Sequence, residues 1–96
     1  MKNIVNVIVE WLDKKALNLP SGIKYITVAK FYDEREWEKE AWSVVLEFDV
    51  SPKQQGNPSK GKAYFLVPNA PQELLISGIV FELYEGAMKT AKVIVI

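Results

Sequence analysis

Carboxylates are the only plausible groups for paired acid and base chemistry in this chain, and five of its 12 acidic residues lie within eight positions. The cluster is Asp33, Glu34, Glu36, Glu38 and Glu40. Paired carboxylates can divide acid and base roles when burial separates their pKa values. Because Arg35 and Lys39 are interleaved with the acids, the pattern favours a solvated charged surface over a catalytic or cation-binding site. The spacing also lacks the alternating ligands and central glycine of a calcium-binding loop.

Trp37 lies inside this acidic segment and is the leading candidate for a protein-binding residue. An exposed tryptophan among charges would anchor a partner, because tryptophan is enriched in interface hot spots. The alternative is an indole buried beneath the loop. Glu34, Trp37 and Glu38 form the predicted protein-binding set. The spacing of Asp33 and Glu36 matches the capping pair of a helix N-terminus, and the alternative is a charged loop.

Three lysines gather in and beside a polar segment without an acidic residue between them. Lys53, Lys60 and Lys62 could contact phosphate, and Tyr64 could stack on a base, so these four residues form the predicted RNA-binding set. Arginine, the preferred bidentate phosphate ligand, occurs only at position 35. We therefore favour the interpretation that these lysines keep the loop soluble and do not contact phosphate.

Cysteine and histidine are absent from the chain. Their absence excludes thiol nucleophiles, disulfides, the usual zinc sites and the commonest general base near neutral pH. Lysine is then the only base that could activate a serine, and Ser51 and Ser59, near Lys53 and Lys60, are interpreted as turn residues. We expect a protein that is not an enzyme and that binds no metal or cofactor.

Lys and Arg number 12, as do Asp and Glu, so the formal net charge is zero. A chain without an overall field attracts nucleic acid and anionic membranes only weakly. No segment approaches the roughly 18 apolar residues that a membrane span requires. The apolar run 4–9 leads into Glu10 and Asp13 without a signal-peptide cleavage site. We expect no membrane association and, by default, a cytoplasmic location.

Apolar residues alternate with polar ones along most of the chain, which indicates strands that are buried on one face. The clearest strand has Trp42, Val44, Leu46, Phe48 and Val50 on one face. Five further strands are predicted within residues 5–11, 23–32, 62–67, 79–83 and 88–96. Lys24 and Lys30, at even spacing, mark the 23–32 strand as half exposed.

Turn residues separate these runs. The pair Glu85-Gly86 has the length of a tight hairpin between the last two strands. Residues 51–61 collect proline, glycine and polar residues, and we predict a mobile polar loop there. Residues 71–76 are predicted to form one helical turn capped by Asn69 or Ala70, or else a connecting loop.

Six strands without a long amphipathic helix predict an all-β fold in a single domain, residues 1–96. Because an open sheet edge invites pairing with other chains, we predict a six-stranded closed antiparallel β-barrel. At this strand number side chains fill the interior, so function is expected on the rim or the outer wall. Trp11 and Trp42 are then core residues or plugs at the barrel ends.

The C-terminal half carries a longer pattern, made of residues 63–68 (AYFLVP), Ala70-Pro71, Leu74-Leu75, Gly78 and residues 81–86 (FELYEG) before a valine-rich strand. This pattern resembles the β-barrel domain of elongation factor Tu and related translational GTPases, and small stand-alone bacterial proteins built on the same barrel. The likeness extends loosely to the first strand through Trp11 and to the third strand from Trp42.

The resemblance implies a six-stranded closed antiparallel barrel of the translation-factor type that acts by binding. It does not extend to the GTPase, because no Gly-x-x-x-x-Gly-Lys-Ser/Thr phosphate loop occurs. Residues 14–20 (KKALNLP) replace the family's Gly-Gly-Arg loop, so a contact with transfer RNA is not carried over.

We therefore expect a non-enzymatic module that binds a protein partner through the barrel exterior, with Trp37 as the anchor. The alternative is an RNA-binding barrel, for tRNA-like ligands, that uses Lys53, Lys60 and Lys62. The sequence leaves the partner and the oligomeric state open.

Overall fold

The computed structural model describes residues 2–31 and 41–96. Six strands, two short helices and one 3-10 turn follow one another along these residues. In chain order they are β1 Val5–Trp11, α1 Asp13–Ala16, β2 Lys24–Phe31, β3 Ala41–Glu47, α2 Pro52–Gln55, β4 Ser59–Phe65, the 3-10 turn Gln72–Leu74, β5 Val80–Glu85 and β6 Met88–Val95.

The strands close into one barrel in the order β1-β4-β3-β2-β5-β6, and every neighbouring pair is antiparallel. The period-two pattern explains this arrangement, because each strand presents an apolar face to a common interior. The predicted all-β fold with a six-stranded closed antiparallel barrel is confirmed. Closure leaves no unpaired sheet edge among these strands.

Core side chains from all six strands fill the barrel interior. Val7, Leu46, Ala63, Leu83 and Val93 each have 0% exposure and belong to one apolar cluster. Phe31 packs on Phe81 with ring centroids 4.6 Å apart. The predicted filled interior agrees with this packing.

The two strand tryptophans differ in burial. Trp11 is buried, and its indole nitrogen donates to Ser59 Oγ at 2.9 Å. Trp42 is half-buried against the core, with its ring centroid 6.4 Å from that of Phe65. Val50, predicted on the same face as Trp42, is instead exposed, because β3 ends at Glu47 and the chain turns away towards α2.

Residues 51–61 do not form the predicted polar loop. Ser51 caps α2 by accepting from the amide of Gln54, and β4 begins at Ser59, three residues earlier than predicted. Two side-chain amides act in place of strand backbone. Gln55 accepts from the amide of Lys60 at 2.8 Å, and Asn57 both accepts from and donates to the backbone of Trp11. The segment's polar groups therefore hold it against the barrel.

Other connections agree with the sequence in part. Residues 86 and 87 form the predicted tight turn between β5 and β6, and Gly86 supplies a φ of +62°. The helical turn predicted within 71–76 is the 3-10 turn, but the predicted caps are wrong, because it follows Pro71 without a side-chain cap. Helix α1 was not predicted. Of residues 33–41, for which the sequence leaves helix or loop open, residues 33–40 lie outside the described residues, and Ala41 begins β3.

Candidate binding surface

The outside of the barrel consists of two walls of different character. The basic wall is the outer face of β4, β3 and β2, whose strands carry four lysines and one carboxylate, namely Lys24, Lys30, Lys60, Lys62 and Glu47. The mixed wall is the outer face of β5, β6 and β1, whose strands carry two lysines and three carboxylates, namely Lys89, Lys92, Glu10, Glu82 and Glu85.

An uncharged strip runs across the basic wall. Ile26 and Val28 alternate with the inward residues of β2 and are 52% and 38% exposed, and Leu66, just after β4, is 50% exposed. Val45 pairs with Ile26 on one side and Tyr64 on the other. Its neighbours along β3 belong to the core, so Val45 faces outward. Val45 itself is only 2% exposed, so the exposed aliphatic side chains lie on either side of it, on β2 and just after β4.

Tyr64 lies where this strip meets the charged residues. The ammonium group of Lys2 lies 4.1 Å from the centre of its ring, a cation–π contact. Its hydroxyl donates to Glu47 Oε2 at 2.5 Å, and this hydrogen bond raises the pKa of Tyr64. Both its hydroxyl and one ring face are thus engaged within the chain.

Lysines border the strip on both sides. Lys24 Nζ lies 3.8 Å from Glu47 Oε2, and Lys62 pairs with Glu47 in the strand register. On the other side, Lys30 lies 4.3 Å from the centre of the Tyr84 ring, which belongs to the mixed wall. An apolar centre with a charged rim is the common anatomy of a protein–protein interface.

The predicted RNA-binding residues separate into two places. Lys60 and Lys62 line one shallow groove together with Glu47, Asp49 and Ile96. Lys53 lines a different groove beside Ser21, Ile23 and Gln54, and its backbone amide donates to Pro20. The carboxylates Glu47 and Asp49 reduce the positive potential around Lys60 and Lys62.

The predicted protein-binding residues Glu34, Trp37 and Glu38 lie outside the described residues. Sequence reasoning missed the aliphatic part of the basic wall, although a signal was present. Lys24 and Lys30 mark an exposed face of β2, and residues 26 and 28 must share that face in a strand. That Glu47 lies beside Lys62 follows from the register between β3 and β4, which cannot be read from the sequence.

The mixed wall satisfies its charges locally. Lys92 pairs in register with Glu10 on β1 and with Glu82 on β5. Lys89 Nζ lies 2.9 Å from Glu82 Oε2, and this contact raises the pKa of Lys89. Ile8, Ile94 and Val80 form an apolar row across the same strands, and Ile94 and Val80 are 37% and 38% exposed. Opposite charges alternate beside that row.

A separate polar cluster closes one end of the barrel. Lys15 Nζ of α1 lies 2.8 Å from Glu85 Oε2, and the Tyr25 hydroxyl donates to the same oxygen. The hydrogen bond from Lys15 lowers the pKa of Glu85, and burial raises the pKa of Tyr25 to about 12. The Tyr25 ring packs edge-on against Trp11. Because every charged member has a partner, the cluster is suited to fastening α1 over the core.

The described residues contain no group of three or more carboxylates placed to hold a metal ion. Within residues 2–31 and 41–96, no helix has the length and apolar character needed to cross a membrane. No protein-family model matches the chain, and neither a curated protein sequence nor a solved structure does.

Proposed function

We propose that the protein is a non-enzymatic binding module that engages a protein partner through the outside of its barrel. The observation that carries this proposal is the basic wall, where Ile26, Val28 and Leu66 are exposed between lysines. Because core side chains fill the interior, recognition falls to the exterior. A partner that removes aliphatic groups of this exposure from water makes the free energy of binding more favourable.

The predicted set Glu34, Trp37 and Glu38 belongs to this proposal as a second contact region. Its segment joins β2 to β3, which are two of the three strands of the basic wall. The acidic, tryptophan-containing sequence of this connection would contact a part of the partner other than the part that covers the wall.

We further propose that the barrel is of the translation-factor type, as a small stand-alone bacterial protein that acts in the cytoplasm. Two features support this assignment. The strands close into a six-stranded antiparallel barrel. The residues that carry the resemblance, within 63–68 and 81–86, lie at the end of β4 and in the hairpin of β5 and β6.

Affinity capture with matched variants tests the proposed function. The basic-wall variant Ile26→Thr with Leu66→Thr keeps polar, strand-compatible residues at two exposed positions, and Val80→Thr with Ile94→Thr is its counterpart on the mixed wall. Trp37→Ala tests the second contact region. Each protein is immobilised and exposed to extract of the source cells, with and without nuclease.

We expect a nuclease-resistant protein partner that the wild type and the mixed-wall variant retain and the basic-wall variant loses. Equal capture by both double variants would show that the basic wall is not the binding surface. Loss of all capture after nuclease treatment would favour the RNA-binding alternative.

A further inference from the structure

We infer that the basic wall binds an acidic polypeptide segment that presents aliphatic or aromatic side chains. This inference rests on the proposed function and specifies the chemistry of its partner. It follows from the charges of the wall, from the kind of apolar surface between them and from the width of that surface.

The charge imbalance of the basic wall favours an acidic partner. Its strands carry four lysines against the single carboxylate of Glu47. Glu47 already accepts from Tyr64 and lies 3.8 Å from Lys24 Nζ. Because Glu47, and Asp49 in the groove beside Lys60 and Lys62, offset only part of the charge of the four lysines, the wall keeps a positive potential that a carboxylate-bearing partner complements.

The rest of the barrel does not share this imbalance. The strands of the mixed wall carry two lysines and three carboxylates, and Lys92 lies between Glu10 and Glu82 in the register. The strands of the basic wall therefore attract an acidic segment more strongly than the strands of the mixed wall do.

The apolar surface favours a polypeptide over RNA. Nucleic-acid surfaces of this type use aromatic rings that are free to stack on bases. The ring of Tyr64 instead carries the Lys2 ammonium group 4.1 Å above it, and the exposed apolar groups Ile26 and Leu66 are aliphatic. Aliphatic side chains pack against leucine-like or aromatic side chains of a protein.

The width of the strip limits the partner to a segment. Ile26 lies on β2 and Leu66 follows β4, two strand spacings away, which is about 10 Å. One amphipathic helix or one extended strand covers about that width.

Selection from a random peptide library displayed on phage, with the full-length protein as bait, tests the inference. The enriched peptides are synthesised, and their affinities are measured by fluorescence anisotropy. The proteins compared are the wild type, Ile26→Thr with Leu66→Thr, Lys24→Gln with Lys62→Gln, and the mixed-wall controls Val80→Thr with Ile94→Thr and Lys89→Gln with Lys92→Gln. Unfractionated transfer RNA is titrated in parallel, and circular dichroism verifies that each variant is folded.

We expect the enriched peptides to carry net negative charge together with aliphatic or aromatic residues. Each basic-wall variant should weaken their binding about tenfold, and the mixed-wall controls less than about twofold. Raising the salt concentration from about 50 to 500 mM should weaken binding to the wild type and have a smaller effect on the Lys24→Gln, Lys62→Gln variant.

Enrichment of neutral or basic peptides that still lose binding to the Ile26→Thr, Leu66→Thr variant would overturn the acidic partner and leave the proposed function intact. Peptides that bind all variants equally, or binding of transfer RNA alone, would also overturn the inference. No enrichment counts against the inference, and if affinity capture also yields no protein partner, the proposed function fails with it.

Discussion

The strands of the two walls have similar apolar inner faces, but their outer faces differ in charge. The strands of both walls present apolar side chains to one shared core, in which Leu46 of β3 and Leu83 of β5 have 0% exposure. Outside, the mixed wall alternates Glu10, Lys92 and Glu82 across its strands, whereas the basic wall gathers lysines around exposed aliphatic residues. The fold requires only the inner faces. Among the described strands, the lysine-rich outer face of the basic wall has a composition that the fold does not require.

The two walls meet at two seams, the strand pairs β1–β4 and β2–β5, and a buried hydroxyl forms a hydrogen bond across each seam. Ser59 of β4 accepts from the indole of Trp11 on β1. Thr27 of β2 donates to the carbonyl oxygen of Tyr84 on β5 at 2.5 Å. The walls therefore differ in surface chemistry but belong to one hydrogen-bonded barrel. Substitutions at the seams should affect stability, and substitutions on the outer faces should affect it much less.

The largest expected effect concerns Gly61 of β4, compared with Gly78 in the connection before β5. A Cβ at Gly61 of β4 would lie 2.6 Å from Phe48 Cδ1 and 2.7 Å from the carbonyl oxygen of Glu47, so Gly61→Ala should lower the free energy of unfolding by about 3 kcal/mol. Gly78, before β5, has open space but a φ of +92°, so Gly78→Ala should lower it by only about 1 kcal/mol. Urea denaturation measures both. Equal losses would contradict the close packing at Gly61.

The seams should respond next. Ser59→Ala leaves the buried indole N–H of Trp11 without its acceptor and should destabilise the fold by about 2 kcal/mol. Thr27→Val removes a donor from a carbonyl oxygen and should cost about 1 kcal/mol, because under-satisfied carbonyl groups are better tolerated. Thermal unfolding followed by circular dichroism compares them. A Ser59→Ala protein as stable as the wild type would show that the hydrogen bond at this seam does not matter.

The charges of the two walls should differ in their effect on stability. Lys92→Gln removes the positive group between two glutamates and should lower the free energy of unfolding by about 0.5 kcal/mol at low salt, and by less at high salt. Lys60→Gln should change it by less than about 0.3 kcal/mol, because Lys60 faces Ile8 across the seam. If Lys60→Gln is the more destabilising, the lysines of the basic wall are structural and the account of that wall is wrong.

The smallest expected effect depends on pH. The pKa of Glu85 is lowered in the folded protein, so its ion pair stabilises the fold above the unfolded-state pKa, and that contribution is lost as pH falls through the folded-state pKa. The stability difference between wild type and Glu85→Gln should therefore shrink from pH 7 to pH 3. The effect is small because the Glu85 side chain is 39% exposed. Glu73→Gln, in the 3-10 turn, is the control, and a pH-independent difference for Glu85→Gln would contradict the assignment.

Much of the fold could be predicted from alternation alone, since residues such as Val44 and Leu46 reveal which face of a strand is buried. The segment 51–61 could not, because its polar composition is that of a loop. Only the folded chain places the Gln55 and Asn57 amides against backbone groups of Lys60 and Trp11. Amino-acid composition does not predict which side-chain amides will form hydrogen bonds with strand backbone.

The candidate surface could be predicted only in pieces. Lysines at 60 and 62 and the exposed face of β2 are readable from spacing. Whether they lie beside Val45 and Glu47 on one surface depends on the register of β3 with β2 and with β4. Barrel closure fixes that register through long-range pairing, which no local pattern records.

Amide chemical-shift mapping tests the central claim most directly. Isotope-labelled protein is titrated with the partner or peptide that the wild type captures, and shifts are followed for both walls. The account predicts changes concentrated at residues 24–28, 43–47 and 60–66, with the strands of the mixed wall little affected. Changes confined to β1, β5 and β6 would contradict it.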